Sequence, residues 1–391
     1  MISVEEAQKI VATTAIQLKT LIHKVDTNLC GMTLAEDVTA PMALPPFSQS
    51  AMDGYAVRLH EEATYRVVGE VQAGADTVIT LKAGEAVRIF TGAKIPDTAD
   101  AVVMQEKVQR LGNTIRTITP INLGQSIRKK GEQLTQGDLV FSKGILLNPP
   151  ALGLLQSLGI EKVEVFQKPE VSIVVTGDEL VPPGHPLASG QVYESNSLVL
   201  IAALQQMGCH KPKLFYAKDN REATDAVLAN ALEADLVLIS GGISVGDYDF
   251  VNQSLAGMKV EELFYKVRQK PGKPLFFGKK RSTHVFALPG NPASTLSCFY
   301  VYVVPLIHRL MGRSSPGLTQ KKLKLAHPFD NKLGRALFLK GIVTDSQVTV
   351  IDELNSASLQ SFAACHVLVY IDAATKKCEK GAVVETLLLP R

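Results

Sequence analysis

The sequence lacks tryptophan and any Cys-x-x-Cys pair, and its cysteines are few and widely separated. The five cysteines are Cys30, Cys209, Cys298, Cys365 and Cys378. An odd number of scattered cysteines argues against a disulfide framework and against a cysteine-based zinc site, and it suits a reducing compartment. The absence of tryptophan says little about function.

Long apolar runs are also missing. The longest, from Phe299 to Leu310, contains Pro305 and is too short to span a bilayer. Near the amino terminus, Glu5 and Glu6 stand where a secretory signal would carry lysine or arginine. We therefore expect a cytoplasmic protein with no membrane partner.

A strong charge of one sign is the third absence. The net charge is only +3 over 391 residues, which gives no basic stripe for nucleic acid. A hydrophobic share of 46% is typical of a globular protein that buries a sizeable core. The length predicts two to four domains.

The sequence of the first part of the chain predicts a helix, then a β-rich segment, then a second helix. Ser3 and Glu6 form a possible capping box for a helix over residues 3–21. A proline-rich stretch at 40–47 starts a new unit, and short Val-, Ile- and Thr-rich runs over 55–142 predict a small β insertion. A helix over 151–158 follows, with Gly159 at its end.

From residue 170 onward, strands and helices alternate. Strands are predicted at 171–175, 213–217, 236–239 and 285–288, and helices at 197–207, 222–232 and 292–310. Such alternation predicts a parallel sheet flanked by helices, with ligands at the carboxyl ends of the strands. After a plausible linker at 312–317, β-type runs at 336–343, 348–351 and 367–371 predict a separate C-terminal β domain.

The segment 241–249, GGISVGDYD, is the most informative of these strand ends. A strand that opens into Gly241 and Gly242 can turn sharply and present backbone N–H groups to an anion. Asp247 and Asp249 follow directly, and carboxylates beside a phosphate cradle suit a metal-bridged phosphate ester. An ordinary glycine-rich turn with solvated acids is the alternative.

The other strand ends carry similar chemistry. Residues 176–179 (Thr-Gly-Asp-Glu) can hold an anion, a metal or a proton, although acids at a helix start also serve as caps. Asp219 is better explained, on its own, as such a cap. Residues 289–292 (Pro-Gly-Asn-Pro) form a rigid loop that is also common as structural punctuation.

Cations cluster between two of these strand ends. Arg268, Lys270 and Lys273 surround a Pro-Gly pair, and we interpret them as a clamp on an oxyanion or phosphate rather than solvated surface charges. In the β insertion, the Asp53 turn, the segment 90–93 and the basic run 128–133 complete the set, although an Asp-Gly turn and a solvated basic run are also common.

Taken in order, these segments resemble the molybdopterin molybdenumtransferase family, which inserts molybdate into molybdopterin and is similar to the C-terminal domain of gephyrin. The motifs are SAMDGYA at 50–56, TGA at 91–93, TGDEL at 176–180, SGGISVG at 240–246, KPGKP at 270–274 and LPGNP at 288–292. Each motif alone is weak, but the ordered set is specific and covers almost the whole chain.

The resemblance implies a multidomain α/β plus β protein. It implies an elongated linker and dimerisation domain from residues 1–40 and 140–168, an inserted β domain at 41–139, a three-layer α/β molybdopterin-binding domain with a parallel-rich sheet at 169–313, and a C-terminal β-barrel-like domain at 314–391. It also implies a homodimer in which one subunit's β insertion faces the other's α/β domain. A contact with the molybdopterin adenylyltransferase is a further expectation.

The implied reaction uses adenylylated molybdopterin and molybdate as substrates and Mg²⁺ as cofactor, and it releases AMP. The implied catalytic residues are Asp53, Thr91, Glu179, Asp219, Asp249, Lys270 and Lys273. Of these, Asp249, Asp219 and Glu179 are the implied metal ligands. The implied substrate-binding residues are Thr176, Gly177, Asp178, Asn196, Ser240, Gly241, Gly242, Ser244, Gly246, Arg268, Pro289, Gly290, Asn291 and Pro292.

One position departs from the family pattern. The family usually shows Gly-Glu-Asp where this chain has Gly131, Glu132 and Gln133, and an amide cannot bind Mg²⁺ as a carboxylate does. This departure gives some support to a catalytically weak scaffold of the gephyrin type. A molybdopterin adenylyltransferase is another alternative, but the β insertion and the C-terminal domain argue against it.

Overall fold

The computed structural model describes residues 1–76, 78–243, 250–351 and 358–390. The chain begins with helix α1, Val4–Thr14, whose cap is the Ser3 side chain accepting from the Glu6 backbone N–H at 3.1 Å. The expectation that this helix continues to residue 21 is wrong. Its buried positions end at Val11, and the chain leaves the helix at Ala15 to form a strand.

Within the described residues, the segment up to residue 166 contains twelve strands, one further α-helix and two short 3-10 helices, Thr27–Leu29 and Gln105–Lys107. The strands and the α-helix are β1 Thr20–Lys24, β2 Val38–Thr39, β3 Gln49–Ser50, β4 Gly54–Val57, β5 Thr64–Val71, β6 Glu85–Ile89, β7 Ala101–Met104, β8 Val108–Leu111, β9 Thr114–Thr117, β10 Ile127–Arg128, β11 Leu139–Phe141, α2 Pro149–Ser157 and β12 Lys162–Phe166. Gly159, at φ +71°, follows the end of α2 as the sequence predicts.

Two kinds of pairing organise this segment. Six strands form one sheet in the order β7-β4-β6-β5-β9-β8, as the β-rich pattern of the insertion predicts. Outside it, β1 pairs with β12 and β2 pairs with β11, both antiparallel. The amino-terminal strands therefore lie against the chain that follows the insertion.

The next segment alternates strands and helices. Its elements are β13 Val171–Thr176, β14 Leu180–Val181, β15 Val192–Tyr193, α3 Asn196–Gln206, β16 Lys213–Ala217, α4 Arg221–Ala231, β17 Leu236–Ser240, α5 Phe250–Gly257, β18 Glu261–Tyr265, β19 Gln269–Lys270, β20 Phe276–Lys280, β21 Thr283–Leu288, α6 Pro292–Cys298 and α7 Val304–Leu310, with a π-helical turn at Phe299–Val303 between α6 and α7.

The main sheet here has the order β16-β13-β17-β21-β20-β18. Its first four strands are parallel, and every position of β13, β17 and β21 is buried, as the continuous apolar runs predict. One face packs on α3 and α6 through residues such as Ile173 and Leu200. The other packs on α4 and α5 through Val174 and Leu228. The three-layer, parallel-rich prediction is confirmed, and the antiparallel strands β18 and β20 are an addition to it.

The C-terminal segment closes into a barrel. Its elements are β22 Gln320–Leu325, β23 Phe329–Asp330, β24 Ala336–Thr344, β25 Gln347–Val350, α8 Leu359–Ala364, β26 Val367–Ile371, β27 Lys377–Cys378 and β28 Val383–Leu388. Strands β24, β25, β22, β28 and β26 pair in a ring, because β26 also pairs with β24. The short strand β19 adds to this barrel in parallel with β24. The predicted barrel-like fold is confirmed.

In the part of the chain that the structure describes, no helix combines the length and the apolar character that a membrane crossing requires.

Candidate functional site

The carboxyl ends of four parallel strands lie side by side at one edge of the main sheet. Thr176 at the end of β13 stands opposite Ala217 of β16, and Ser240 at the end of β17 stands opposite Leu288 of β21. The loops that leave these strands therefore emerge together. The parallel sheet brings together the predicted segments at 176–179, 219, 240–243 and 289–292.

A hydrogen-bond chain joins the first two strand ends. The buried Thr176 hydroxyl donates to Asp219 Oδ1 at 2.6 Å, and the Asp219 backbone N–H donates to Asp178 Oδ1 at 3.1 Å. Asp178 and Asp219 are both exposed. Two carboxylates are thus fixed at the solvent-facing mouth of the β13 and β16 loops.

The glycines after β17 are required by close packing. Gly241 has φ +91°, and a Cβ there would lie 2.3 Å from the carbonyl oxygen of Thr176. At Gly242, with φ +64°, a Cβ would lie 2.7 Å from Thr176 Cγ2 and 2.6 Å from Val251 Cγ2. Only glycine lets this turn rest directly on the end of β13.

Asn196, the first residue of α3, ties two other strand ends together. Its side-chain amide donates to Ser240 Oγ and to the Gly290 carbonyl oxygen, both at 2.8 Å. The Asn196 Oδ1 atom is buried and has no hydrogen-bond partner. Buried polar atoms are normally paired, so this acceptor is a place where a donor from a ligand or water would be stabilised.

The 289–292 loop leads into α6. Asn291 caps that helix by accepting from the Ser294 backbone N–H at 3.3 Å, and Pro292 occupies the first turn. The Thr295 hydroxyl donates to the Pro289 carbonyl oxygen. The loop is therefore held from both sides, and Gly290 stays exposed at its tip.

The cationic segment 268–274 packs against this loop. Gln269 is buried and donates to the carbonyl oxygens of Pro271 at 3.0 Å and Gly272 at 3.2 Å. A Cβ at Gly272 would lie 2.3 Å from Cys298 Sγ and 3.8 Å from Pro289 Cγ. The anchored backbone presents Lys270 half-buried and Arg268 and Lys273 exposed.

A cavity of about 550 Å³ opens beside the strand ends of β13 and β16. Its polar lining includes Asp178, Glu194 and Lys218, and its apolar lining includes Leu198 and Tyr216. This size and this mixture of surfaces suit a small organic ligand that carries polar groups.

Asp53 and Thr91 meet in the insertion sheet. Asp53 Oδ1 accepts from the Thr91 backbone N–H at 2.7 Å and from the Thr91 hydroxyl at 2.8 Å. These hydrogen bonds, with a smaller contribution from the charge of Arg88, hold the pKa of Asp53 below its ordinary value. Both hydrogen bonds lie within the insertion, so none of them joins this pair to the strand ends of the same chain.

The basic run 128–133 lies close to the same region. β10 pairs with β3, and the Gln133 backbone N–H donates to the Leu44 carbonyl oxygen at 3.0 Å. The Glu132 carboxylate accepts from the Lys129 backbone N–H at 2.9 Å, and the Gln133 side chain is exposed. Gln133 is therefore positioned by its backbone, whichever side chain it carries.

The oxygen ligands at the strand ends fit a magnesium ion shared with a phosphate. Within the described residues, no group of three His, Cys, Asp or Glu side chains could hold a metal by itself. Mg²⁺ usually takes one or two protein carboxylates and completes its shell with water and substrate phosphate. The exposed Asp178 and Asp219 offer that donor set.

Four of the predicted residues, Ser244, Gly246, Asp247 and Asp249, lie outside the described residues. Glu179 is exposed in the loop after Gly177, and its carboxylate oxygens lie 2.9 Å from where a Cβ on Gly177 would stand. The predicted metal trio is thus described only for Glu179 and Asp219, and it stays a prediction.

Sequence reasoning missed Gln269, Leu198 and Tyr216. Gln269 is buried and also accepts from the Tyr302 hydroxyl, but nothing in its local sequence marks it as an anchor. Leu198 and Tyr216 are large apolar residues that remain exposed in the cavity wall. A solvent-facing apolar position next to a strand end would have been the only signal for them.

Comparison with known proteins places these features in a family. Residues 2–159 match the family described as "MoeA N-terminal region (domain I and II)", and residues 172–309 match "Probable molybdopterin binding domain". A Staphylococcus epidermidis protein named molybdopterin molybdenumtransferase is 30% identical over 99% of this chain and 95% of its own length. One of the same name from Haemophilus influenzae is 43% identical over 71% of this chain and 70% of its own. The crystal structure of a molybdopterin biosynthesis MoeA protein from Pyrococcus horikoshii covers 100% of both chains, with a TM-score of 0.84 and 29% identity.

Proposed function

The chain belongs to the molybdopterin molybdenumtransferase family, and we propose that it transfers molybdate into adenylylated molybdopterin with Mg²⁺-dependent release of AMP. The observation that carries this proposal is the shared sheet edge. There the Thr176 hydroxyl is hydrogen-bonded to Asp219, Asn196 joins Ser240 to Gly290, and the Gly241 turn packs directly on Thr176.

The chemistry of that edge suits two anions that must react with each other. The glycine turn at 241–242 offers backbone N–H groups to a phosphate, and Lys270 and Lys273 supply positive charge from the adjoining segment. Holding molybdate beside the phosphoanhydride overcomes their mutual repulsion, and positioning of this kind accounts for much of a rate enhancement.

Magnesium, when bound, would neutralise charge on the departing AMP. We propose that Asp219, Glu179 and Asp249 hold it, with Asp178 as a further carboxylate beside Asp219. The cavity next to Asp178 is the place we propose for one ring system of the substrate, because its lining combines apolar and polar groups.

We also propose that the active unit is a homodimer. The hydrogen bonds of Asp53 and Thr91 remain within the insertion sheet, which is consistent with their completing the site of a partner subunit. We propose four domains: a linker and dimerisation domain from 1–40 and 140–168, the β insertion at 41–139, the α/β domain at 169–313 and the C-terminal β domain at 314–391. The pairings β1–β12 and β2–β11 support joining the first two of these stretches.

The direct test mixes purified protein with adenylylated molybdopterin, Mg²⁺ and molybdate and follows AMP. We expect AMP release that requires molybdate and that falls in Asp219→Asn and Lys270→Met variants. A protein that binds the substrate without releasing AMP would support the scaffold function instead. Pyrophosphate release from ATP would support the adenylyltransferase.

Mixing two inactive variants tests the shared site. Asp53→Asn and Asp219→Asn subunits can combine so that both substitutions fall in one site and the other site is intact. If sites are shared between subunits, re-association of the mixture restores about one quarter of wild-type activity. If each site lies within one chain, the mixture stays inactive.

A further inference from the structure

Arg88 is the next-to-last residue of β6, directly opposite Tyr55 of β4. Its guanidinium carbon is 5.2 Å from the centre of the Tyr55 ring and 4.8 Å from that of Phe90. A guanidinium that contacts the faces of two aromatic rings is stabilised by both. Arg88 is half-buried there.

The two ends of the guanidinium fork brace the chain around Asp53. Nη1 donates to the Gly54 carbonyl oxygen at 2.9 Å, and Nη2 donates to Gln105 Oε1 at 2.6 Å. The Gln105 backbone N–H in turn donates to the Asp53 carbonyl oxygen at 3.1 Å. Arg88 therefore holds the two peptide groups that follow Asp53. It binds the Gly54 carbonyl oxygen directly and the Asp53 carbonyl oxygen through Gln105.

The backbone at Gly54 is also closely packed against the neighbouring strand β7. A Cβ on Gly54 would lie 1.9 Å from the Val103 carbonyl oxygen, so β7 presses against β4 at this residue. The main chain at Gly54 is thus held between Val103 and Arg88. The Asp53 side chain extends from a backbone that has little freedom.

Arg88 also braces the partner of Asp53. Phe90, on which the guanidinium stacks, immediately precedes Thr91, and Thr91 makes both described hydrogen bonds to the Asp53 carboxylate. Arg88 therefore contacts Gly54, which follows Asp53, and Phe90, which precedes Thr91. In the described contacts it makes no hydrogen bond to the Asp53 carboxylate itself. Its charge adds to the electrostatic support of the Asp53 anion.

We infer that Arg88 is the positioning residue that fixes Asp53 and Thr91 as one preorganised unit, an inference that rests on their proposed role in molybdate transfer. A lysine retains the charge, but its single nitrogen cannot replace the two separate nitrogens that donate to Gly54 and Gln105. The fork, rather than the charge, is the feature that matters.

Three variants separate these contributions. Arg88→Lys keeps the charge and Arg88→Met removes it. The control is Arg110→Met on β8 of the same sheet, because the hydrogen bond that the described residues give Arg110 goes to Gly112 within its own turn. We expect kcat for AMP release to fall about 100-fold in both Arg88 variants, with a much smaller change in KM. Arg110→Met should retain the wild-type rate.

A double-mutant cycle tests whether Arg88 acts through Asp53. In an Asp53→Asn background, Arg88→Met should lower the rate little further, because the group that it positions is already lost. Additive losses would overturn the inference, since Arg88 would then act independently of Asp53.

Hydrogen exchange supplies a readout that does not depend on activity. The peptide covering residues 88–94 should exchange faster in Arg88→Met than in the wild type or Arg110→Met, because the Thr91 amide loses its fixed acceptor. Unchanged exchange would overturn the inference even if the rate fell. Full activity of Asp53→Asn would refute the proposed role of Asp53, and exchange would still decide whether Arg88 orders the turn.

Discussion

The turn after β17 allows a sharp test, because Gly241→Ala adds a single methyl group to a place that has no room for it. The new Cβ would lie 2.3 Å from the Thr176 carbonyl oxygen, where ordinary contact requires about 1 Å more. The residue also has φ +91°, a conformation that alanine rarely adopts.

The two costs can be estimated separately. A left-handed backbone costs a non-glycine residue about 1 kcal/mol. Relieving the overlap within a packed sheet edge adds about 1–3 kcal/mol. Because Thr176 also holds Asp219, the shift that relieves the overlap displaces the carboxylate, and a displacement of about 1 Å lowers the rate by about 100-fold.

The assay compares Gly241→Ala with Gly153→Ala. Gly153 lies inside α2 with nothing within 4 Å of its Cβ position, so alanine there should stabilise the helix by about 0.5–1 kcal/mol. We expect Gly241→Ala to lower both the thermal midpoint and molybdate-dependent AMP release, and Gly153→Ala to lower neither. Wild-type behaviour of Gly241→Ala would refute the close packing of this turn on Thr176.

Three further predictions follow from single contacts. Thr176→Val should lower AMP release and Thr176→Ser should not, because only serine retains a hydroxyl for Asp219; equal rates for the two would refute the role of that bond. Gln133→Asp should keep or raise the rate of AMP release, and a clear loss with a normal thermal midpoint would show that glutamine is the better residue in this chain. Burial, and after it the charge of Arg313, whose Nη1 lies 2.8 Å from the ring Nε2, lowers the pKa of His308 from 6.5 to about 4. Between these two pH values, the unfolded chain binds a proton at His308 that the folded chain does not. The free energy of unfolding is therefore unaffected by this group above pH 6.5, and it falls by about 3 kcal/mol as the pH is lowered to 4. In urea unfolding, His308→Gln should show a smaller difference between pH 7 and pH 5 than the wild type, and an equal difference would contradict the assignment.

The parallel core of the α/β segment could be predicted because its strands are continuous apolar runs that end in glycine or acid. The structure buries every position of Val171–Thr176 and Leu236–Ser240. A continuous apolar run thus indicates a strand that is covered on both faces of the sheet. The antiparallel strands Glu261–Tyr265 and Phe276–Lys280 carry charged residues at one end and lack such a run. β20 pairs with β21 and β18 pairs with β20, and local sequence does not reveal either partner.

Tertiary pairing also explains the error at the amino terminus. Residues 20–24 have no strong strand pattern, and they are extended because β12 offers them a partner far along the chain. Closure of the C-terminal barrel likewise needs the pairing of β24 with β26, and the parallel addition of Gln269–Lys270 to β24 connects the cationic segment to that barrel. Neither of these two pairings can be predicted from the hydrophobic periodicity of the local sequence.

The candidate site divides in the same way. Glycine, proline and acidic residues at strand ends are visible in a single sequence, because their conformational and chemical demands are local. Gln269 and Arg88 act through contacts with residues distant in sequence, such as Tyr302 and Gly54, and their roles emerge only from the folded chain.

The strand-end loops are proposed to form a site where molybdate displaces AMP from a nucleotide-capped pterin. The most direct test measures, in one reaction mixture, the AMP released and the molybdenum transferred to the pterin, with and without molybdate. We expect both products to rise together in equal amounts and neither to form without molybdate. AMP release that continues unchanged without molybdate, or molybdenum transfer without AMP, would contradict this proposal.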